Sequence, residues 1–171
     1  MNYFGTWYVT NHPTDKDLWI LHNPVTGEIW GVRLDEGQQV VPCDKFVFDM
    51  ASTKLVRAIW PQHWARRAST HHDWGHHVHK TPEDELMIEM KEWFDSLGWN
   101  EDCRRAYIRW LKSRTQADWD RDFYILAQMD GVWKPLAWFG WKTLKLVGFI
   151  AWNRERTGNT QIYREQKEVT P

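Results

Sequence analysis

The spacing of apolar positions changes near residue 50. Up to there they fall in short runs separated by turn-forming residues. Leu18–Leu21 and Ile29–Leu34 read as strands, and Asn23-Pro24-Val25-Thr26-Gly27 between them is a turn signal, so the two runs are expected to form a hairpin. Trp7–Thr10 and Gln39–Val41 offer two further strands and Lys45–Phe48 a fifth. Pro42 has no amide hydrogen for a ladder and works against a long central strand at that point.

From about Thr53 the spacing becomes helical. Leu55, Val56, Ile59 and Trp60 form one short stripe stopped by Pro61, and a second helix is expected from near Gln62 into a run of histidines, with Gly75 ending or bending it. The clearest helix starts at Thr81, an N-cap residue followed by Pro82 and by Glu83, Asp84 and Glu85 at the positive end of the dipole. Leu86, Met90, Trp93, Phe94 and Leu97 repeat at three and four, and Gly98 closes it. A fourth helix follows Asn100, with Cys103, Ala106, Tyr107, Trp110 and Leu111 on its apolar side, and helical signal returns in Phe123–Met129 and Leu136–Ala151. The pattern predicts an α+β fold: a small N-terminal antiparallel β-sheet followed by a packed bundle of helices. Residues 1–155 are expected to form a single globular domain and residues 156–171 a polar, frayed tail, and the sequence shows no internal repeat.

Composition narrows the classes. With 42% hydrophobic and 26% charged residues, the 171-residue chain is globular rather than disordered and long enough to bury a core. A formal net charge of -1 supplies no global field toward nucleic acid or an anionic membrane, so neither is expected as a partner. The basic pairs Arg66-Arg67 and Arg104-Arg105 and the stretch Arg154–Arg156 read as solvated faces. Two cysteines, Cys43 and Cys103, permit one disulfide, but Met1–Thr10 has neither the basic region nor the apolar run of a secretion signal. Free thiols and a cytoplasmic location are expected. Fourteen tryptophans, spread from Trp7 to Trp152, are expected mostly in the core.

Chemistry concentrates in one place: five of the eight histidines lie in His71-His72-Asp73-Trp74-Gly75-His76-His77-Val78-His79. On a helix, His72, His76 and His79 share one narrow arc, and His-x-x-x-His is a spacing that lets two imidazoles share zinc. Against a metalloprotease helix stand the short Asp73 in the base position and Gly75 inside the element. The adjacent His72-Asp73 also matches the metal-binding pair of HD phosphohydrolases, which an earlier histidine (His12, His22 or His63) and a later carboxylate (Asp84, Asp118, Asp120 or Asp122) would complete. The bland reading, a histidine-rich helix terminus, fits His71, His77 and His79.

Several blocks in fixed order carry a resemblance: Phe46-Val47-Phe48-Asp49-Met50-Ala51-Ser52, then Arg66-Arg67-Ala68-Ser69-Thr70-His71-His72-Asp73-Trp74, then Glu83-Asp84-Glu85, Gly98, Ala106-Tyr107 and Phe139-Gly140-Trp141. From about Val40 to Trp141 the chain resembles a phage and prophage family, domain-of-unknown-function family 1353. It departs from that pattern at His71, Gly75, His76, Glu85 and Thr53-Lys54, so the extra histidines belong to this chain rather than to the family. The resemblance implies a polar constellation of Asp49, Ser52, His72, Asp73 and Asp84. Each has a structural alternative: Asp49 or Ser52 as a helix cap, Asp84 as a dipole partner, His72 and Asp73 as a packing network.

Two functions are weighed. One is a phage-encoded accessory protein acting as a metal-dependent hydrolase on a phosphoester, such as a nucleotide, or on a cell-wall bond. His72, Asp73 and Asp84, with His76 as a further ligand, would then hold a divalent ion (zinc, manganese or magnesium) that activates water. The other is a non-enzymatic phage protein that binds and inhibits a host defence protein or complex, for which a contiguous tryptophan patch away from the His-Asp pair would be the signature. Nothing in the sequence indicates the repeats or strand pattern of a virion component.

Overall fold

A computed structural model of the chain describes residues 1–15, 18–48 and 65–153, with side chains through residue 146. The stripe Leu55–Trp60, the tail 156–171 and the candidate residues Asp49 and Ser52 lie outside the described residues.

Among the described residues six short strands precede the helices: β1 (Asn2–Phe4), β2 (Tyr8–Asn11), β3 (Trp19–His22), β4 (Gly31–Arg33), β5 (Gln39–Val40) and β6 (Phe46–Phe48). They form two three-stranded antiparallel sheets, ordered β1-β4-β5 and β2-β3-β6. The expected hairpin is therefore not made. The turn at Pro24–Gly27 is present, closed by Gly27 N–H donating to the Pro24 carbonyl at 3.1 Å, but it carries the chain from one sheet to the other. The reason is Asn23. Its buried side chain donates to the carbonyls of Trp30 (3.0 Å) and Pro42 (2.7 Å) and accepts from the Trp30 amide at 2.7 Å. Polar groups that would otherwise continue a ladder are satisfied by this one amide, so β3 and β4 diverge.

Six helices follow in the described residues: α1 (Arg66–Lys80), α2 (Glu83–Glu89), α3 (Lys91–Ser96), α4 (Glu101–Ser113), α5 (Gln116–Met129) and α6 (Lys134–Asn153). Two boundaries differ from the sequence reading. Thr81 closes α1, its amide donating to the His77 carbonyl, while Pro82 stands at the start of α2 without a side-chain cap. The long helix expected from Thr81 to Gly98 bends at Met90 (φ −94°, ψ 5°), which separates α2 from α3 while its side chain stays buried. Other signals are used as read: Gly98 ends α3 at φ +64° and Asn100 caps α4 by accepting from Cys103 N–H. Helix α5 starts ahead of the expected Phe123, at a capping box of Thr115 with Asp118.

Helix α1 is the central element. It packs on α5 along one side and reaches β6 on another, where the Trp74 and Phe46 rings meet edge to face at 5.1 Å. Gly75 neither ends nor bends it. A Cβ on Gly75 would lie 2.2 Å from Cδ2 of Trp119, so the glycine is what lets the indole of α5 rest on the α1 backbone.

Candidate functional site

The close approach at Gly75 brings the carboxylates of α5 to the histidines of α1. Trp119 is flanked in sequence by Asp120, and Asp122 follows two residues later. Asp120 Oδ1 meets His72 Nε2 at 2.9 Å, and Asp122 Oδ2 meets His71 Nε2 at 3.1 Å. The Trp119 ring lies 5.0 Å from that of His71. On its other side His72 turns Nδ1 toward Asp73 Oδ1 at 3.8 Å, and its ring sits 4.8 Å from that of His76. Arg114, at the end of α4, closes the cluster with a short ion pair from Nη2 to Asp122 Oδ2.

His71, His72, Asp73, His76, Asp120 and Asp122 are all buried, His71 completely. This corrects the terminus reading for His71. His71, His72 and His76 are buried in the helix layer, whereas His77 and His79 lie in the last turn of α1, as the terminus reading has them, and of the five only His79 is exposed. His77 is half-buried, bonded to Glu89 at 2.7 Å and stacked on Trp74. The two paired histidines hold different charges. Burial pushes His71 below the ordinary histidine value, against the pull of Asp122, so it is neutral at pH 7. Burial also opposes charge on His72, but the hydrogen bond to Asp120 and the bond and charge of Asp73 outweigh it and raise its pKa to about 9. At neutral pH His72 is an imidazolium clasped by two carboxylates. It can give a proton but cannot accept one.

Asp84 stands elsewhere. It is exposed at the start of α2, its Oδ1 3.2 Å from Nη1 of Arg105. Asp120 and Asp122, which the sequence offered only among several later carboxylates, are the ones that meet the histidine run. Among the described residues, no group of three or more His, Cys, Asp or Glu side chains is placed to hold one ion. The described residues alone supply no three-ligand set for the divalent metal expected from the sequence.

Three of the tryptophans, with Tyr107, build a second feature. Between the α3–α4 region and the turn before β5 lies a cleft of about 460 Å³, lined by Trp93, Trp99, Tyr107, Trp110, Leu97 and the amide side chains Gln38 and Gln39. Its rings brace one another: Trp93–Trp99 at 5.5 Å, Trp93–Tyr107 at 5.1 Å, Trp99–Tyr107 at 5.6 Å and Tyr107–Trp110 at 5.5 Å. Tyr107 is fixed by donating its hydroxyl to the Gln39 carbonyl at 2.9 Å, and burial raises its pKa. It is the one titratable residue of the lining. Arg114 joins the two features, its guanidinium 5.8 Å from the Trp110 ring, 4.7 Å from the Trp119 ring and paired with Asp122. No protein family, curated protein or solved structure matches the chain.

Proposed function

We propose that this chain acts by binding rather than by catalysis, as a non-enzymatic, phage-type accessory protein that holds a host protein at its aromatic cleft. The supporting observation is the contrast between the two features. The titratable groups are sealed between α1 and α5, whereas the cleft is open, ring-walled and free of charged lining residues. Such a pocket suits an apolar or aromatic side chain on a partner's surface, with the glutamine amides and indole N–H groups orienting it. The tagged chain should retain one stoichiometric partner from a bacterial lysate, and that partner, purified, should bind directly. Trp99→Ala and Trp110→Ala should each weaken the purified complex at least about tenfold, the cost of an interface hot spot. Undiminished binding by both variants, or no stoichiometric partner, would refute the reading.

Hydrolysis at His72 is a second reading, supported by the acid with a pKa of about 9 between Asp73 and Asp120. As a proton donor it would serve a leaving group on a phosphoester or cell-wall bond. Its test is turnover of phosphodiester and glycan substrates that His72→Gln abolishes while the variant keeps its fold; no turnover by the parent chain at any pH from 5 to about 9 counts against it.

A further inference from the structure

Neither the buried cluster nor the cleft uses the outer side of α6. The helix packs on α5 through the buried Ala137 and Gly140, and the Trp141 ring lies 5.5 Å from that of Tyr124. Its opposite side carries Trp138, Phe139 and Leu146, exposed by 50%, 47% and 78%, with Trp133 just before the helix exposed by 72%. At about 100° per residue, Lys134, Trp138, Phe139, Lys142, Lys145 and Leu146 share one arc of about 140°.

Charge on this face has one sign. Residues 134–153 include Lys134, Lys142 and Lys145 and no aspartate or glutamate. Among the described residues the neighbours of two of these ammonium groups are rings: Lys142 lies 5.4 Å from Trp138 and 4.8 Å from Trp141, and Lys145 lies 4.4 Å from Trp141. Protein interfaces avoid lysine, whereas lysines interleaved with indole and phenyl rings suit the boundary between headgroups and acyl chains, where rings enter and ammonium groups reach phosphates. No helix among the described residues is long and apolar enough to cross a membrane. The net charge of -1 gives no long-range attraction, so any pull on lipid is local to this face.

We propose that α6 docks in-plane on an anionic lipid bilayer surface, with Trp138, Phe139 and Leu146 at the acyl boundary and Lys134, Lys142 and Lys145 on headgroup phosphates. The test is flotation of the full chain with vesicles of phosphatidylcholine alone and of phosphatidylcholine with an equal part of phosphatidylglycerol. Each lysine near an anionic surface strengthens attachment roughly fivefold, so the anionic vesicles should retain at least about tenfold more protein at low salt. Lys142→Glu with Lys145→Glu, and separately Trp138→Ser with Phe139→Ser, should each abolish the difference while leaving the thermal transition in place, because the altered side chains are at the surface. Trp110→Ala, in the cleft wall, should float like the parent chain. Equal retention on both vesicle types, flotation of neither, or loss of flotation by Trp110→Ala would overturn the proposal. So would a change in the chain's own oligomeric mass in the Trp138 and Phe139 variant without any parental flotation, which would make the face a protein interface.

Discussion

Gly75→Ala should destabilise this protein, although the same change in an ordinary helix interior stabilises by about 1 kcal/mol. The added methyl would meet Cδ2 of Trp119 at 2.2 Å and Cγ and Cε3 at 2.6 Å, all atoms of a rigid ring that is itself fully enclosed. Favourable carbon–carbon contact begins near 3.5 Å, so the ring must retreat by about 1.3 Å. Trp119 cannot move far alone, because Asp120 beside it is bonded to His72 at 2.9 Å and Asp122 to His71 at 3.1 Å. A retreat of that size carries both contacts past bonding distance. Overpacking costs about 1–3 kcal/mol and a broken buried ion pair about 3–5 kcal/mol, so after the gain of about 1 kcal/mol in helix propensity a net loss of roughly 3–7 kcal/mol is expected. For a chain of this size that lowers Tm by roughly 6–28 °C. Urea unfolding followed by circular dichroism measures the loss. In a Trp119→Leu background the clash is gone, and Gly75→Ala should become neutral or mildly stabilising. A neutral or stabilising effect in the parent chain would refute the tight approach, and persistence of the cost beside Leu would refute Trp119 as its cause.

Stability should peak near pH 6.5, falling on both sides for different reasons. His72 is raised when folded, so its contribution is complete below about 6.5 and is lost as pH rises through about 9, by at most about 3 kcal/mol. His71 is lowered when folded, so its neutral form resists protonation and stability falls as pH drops below about 6.5. Urea midpoints across pH 5–10 check this: His72→Gln should flatten the alkaline limb and His71→Gln the acid limb, and unchanged limbs would count against the assignments. Asn23→Ala leaves the Trp30 amide and two carbonyls without their partner and should cost about 2–4 kcal/mol by the same melts; a loss below about 1 kcal/mol would mean the two sheets do not depend on that amide.

What was legible in the sequence was local. The change of apolar period separates strands from helices, and Gly98 and Asn100 mark ends where a positive φ or an oxygen acceptor is needed. What was not legible depends on a distant neighbour. The turn Asn23–Gly27 has hairpin chemistry, and nothing within it announces that Asn23 bonds Trp30 and Pro42 and sends the flanking strands into different sheets. Gly75 looked like a helix breaker because its use is a contact 44 residues away in sequence. Read together, the two puzzles had one signal: a glycine four residues after His71, and a tryptophan preceding Asp120 and Asp122. A bare backbone patch and a large ring define a close helix crossing, and whatever flanks the ring on α5 then meets whatever flanks the glycine on α1. The resemblance points to Asp84 instead, an exposed residue whose partner is Arg105.

The same crossing makes a demand on the cleft. Arg114 ends α4, the helix that supplies Tyr107 and Trp110, and its guanidinium is held by Asp122 while lying against Trp110 and Trp119. One cation thus fixes the cleft wall to the buried cluster. Asp122→Asn removes the charge that holds Arg114 but changes no cleft residue. It also leaves His71, already neutral, with a weaker partner rather than an unpaired charge. The loss in stability should therefore be moderate, about 1–3 kcal/mol, because Arg114 keeps an acceptor and partial access to water. The effect on the cleft should be larger in kind: with the guanidinium released, Trp110 loses the contact on its far side and populates other rotamers. Trp110 side-chain signals in NMR of an indole-labelled chain should broaden or split while those of Trp30 stay single. A partner that needs the cleft should bind Asp122→Asn more weakly even where the variant is fully folded. If the Trp110 signal stays as sharp as in the parent chain, the buried cluster and the cleft are independent, and Arg114 is only an ion pair.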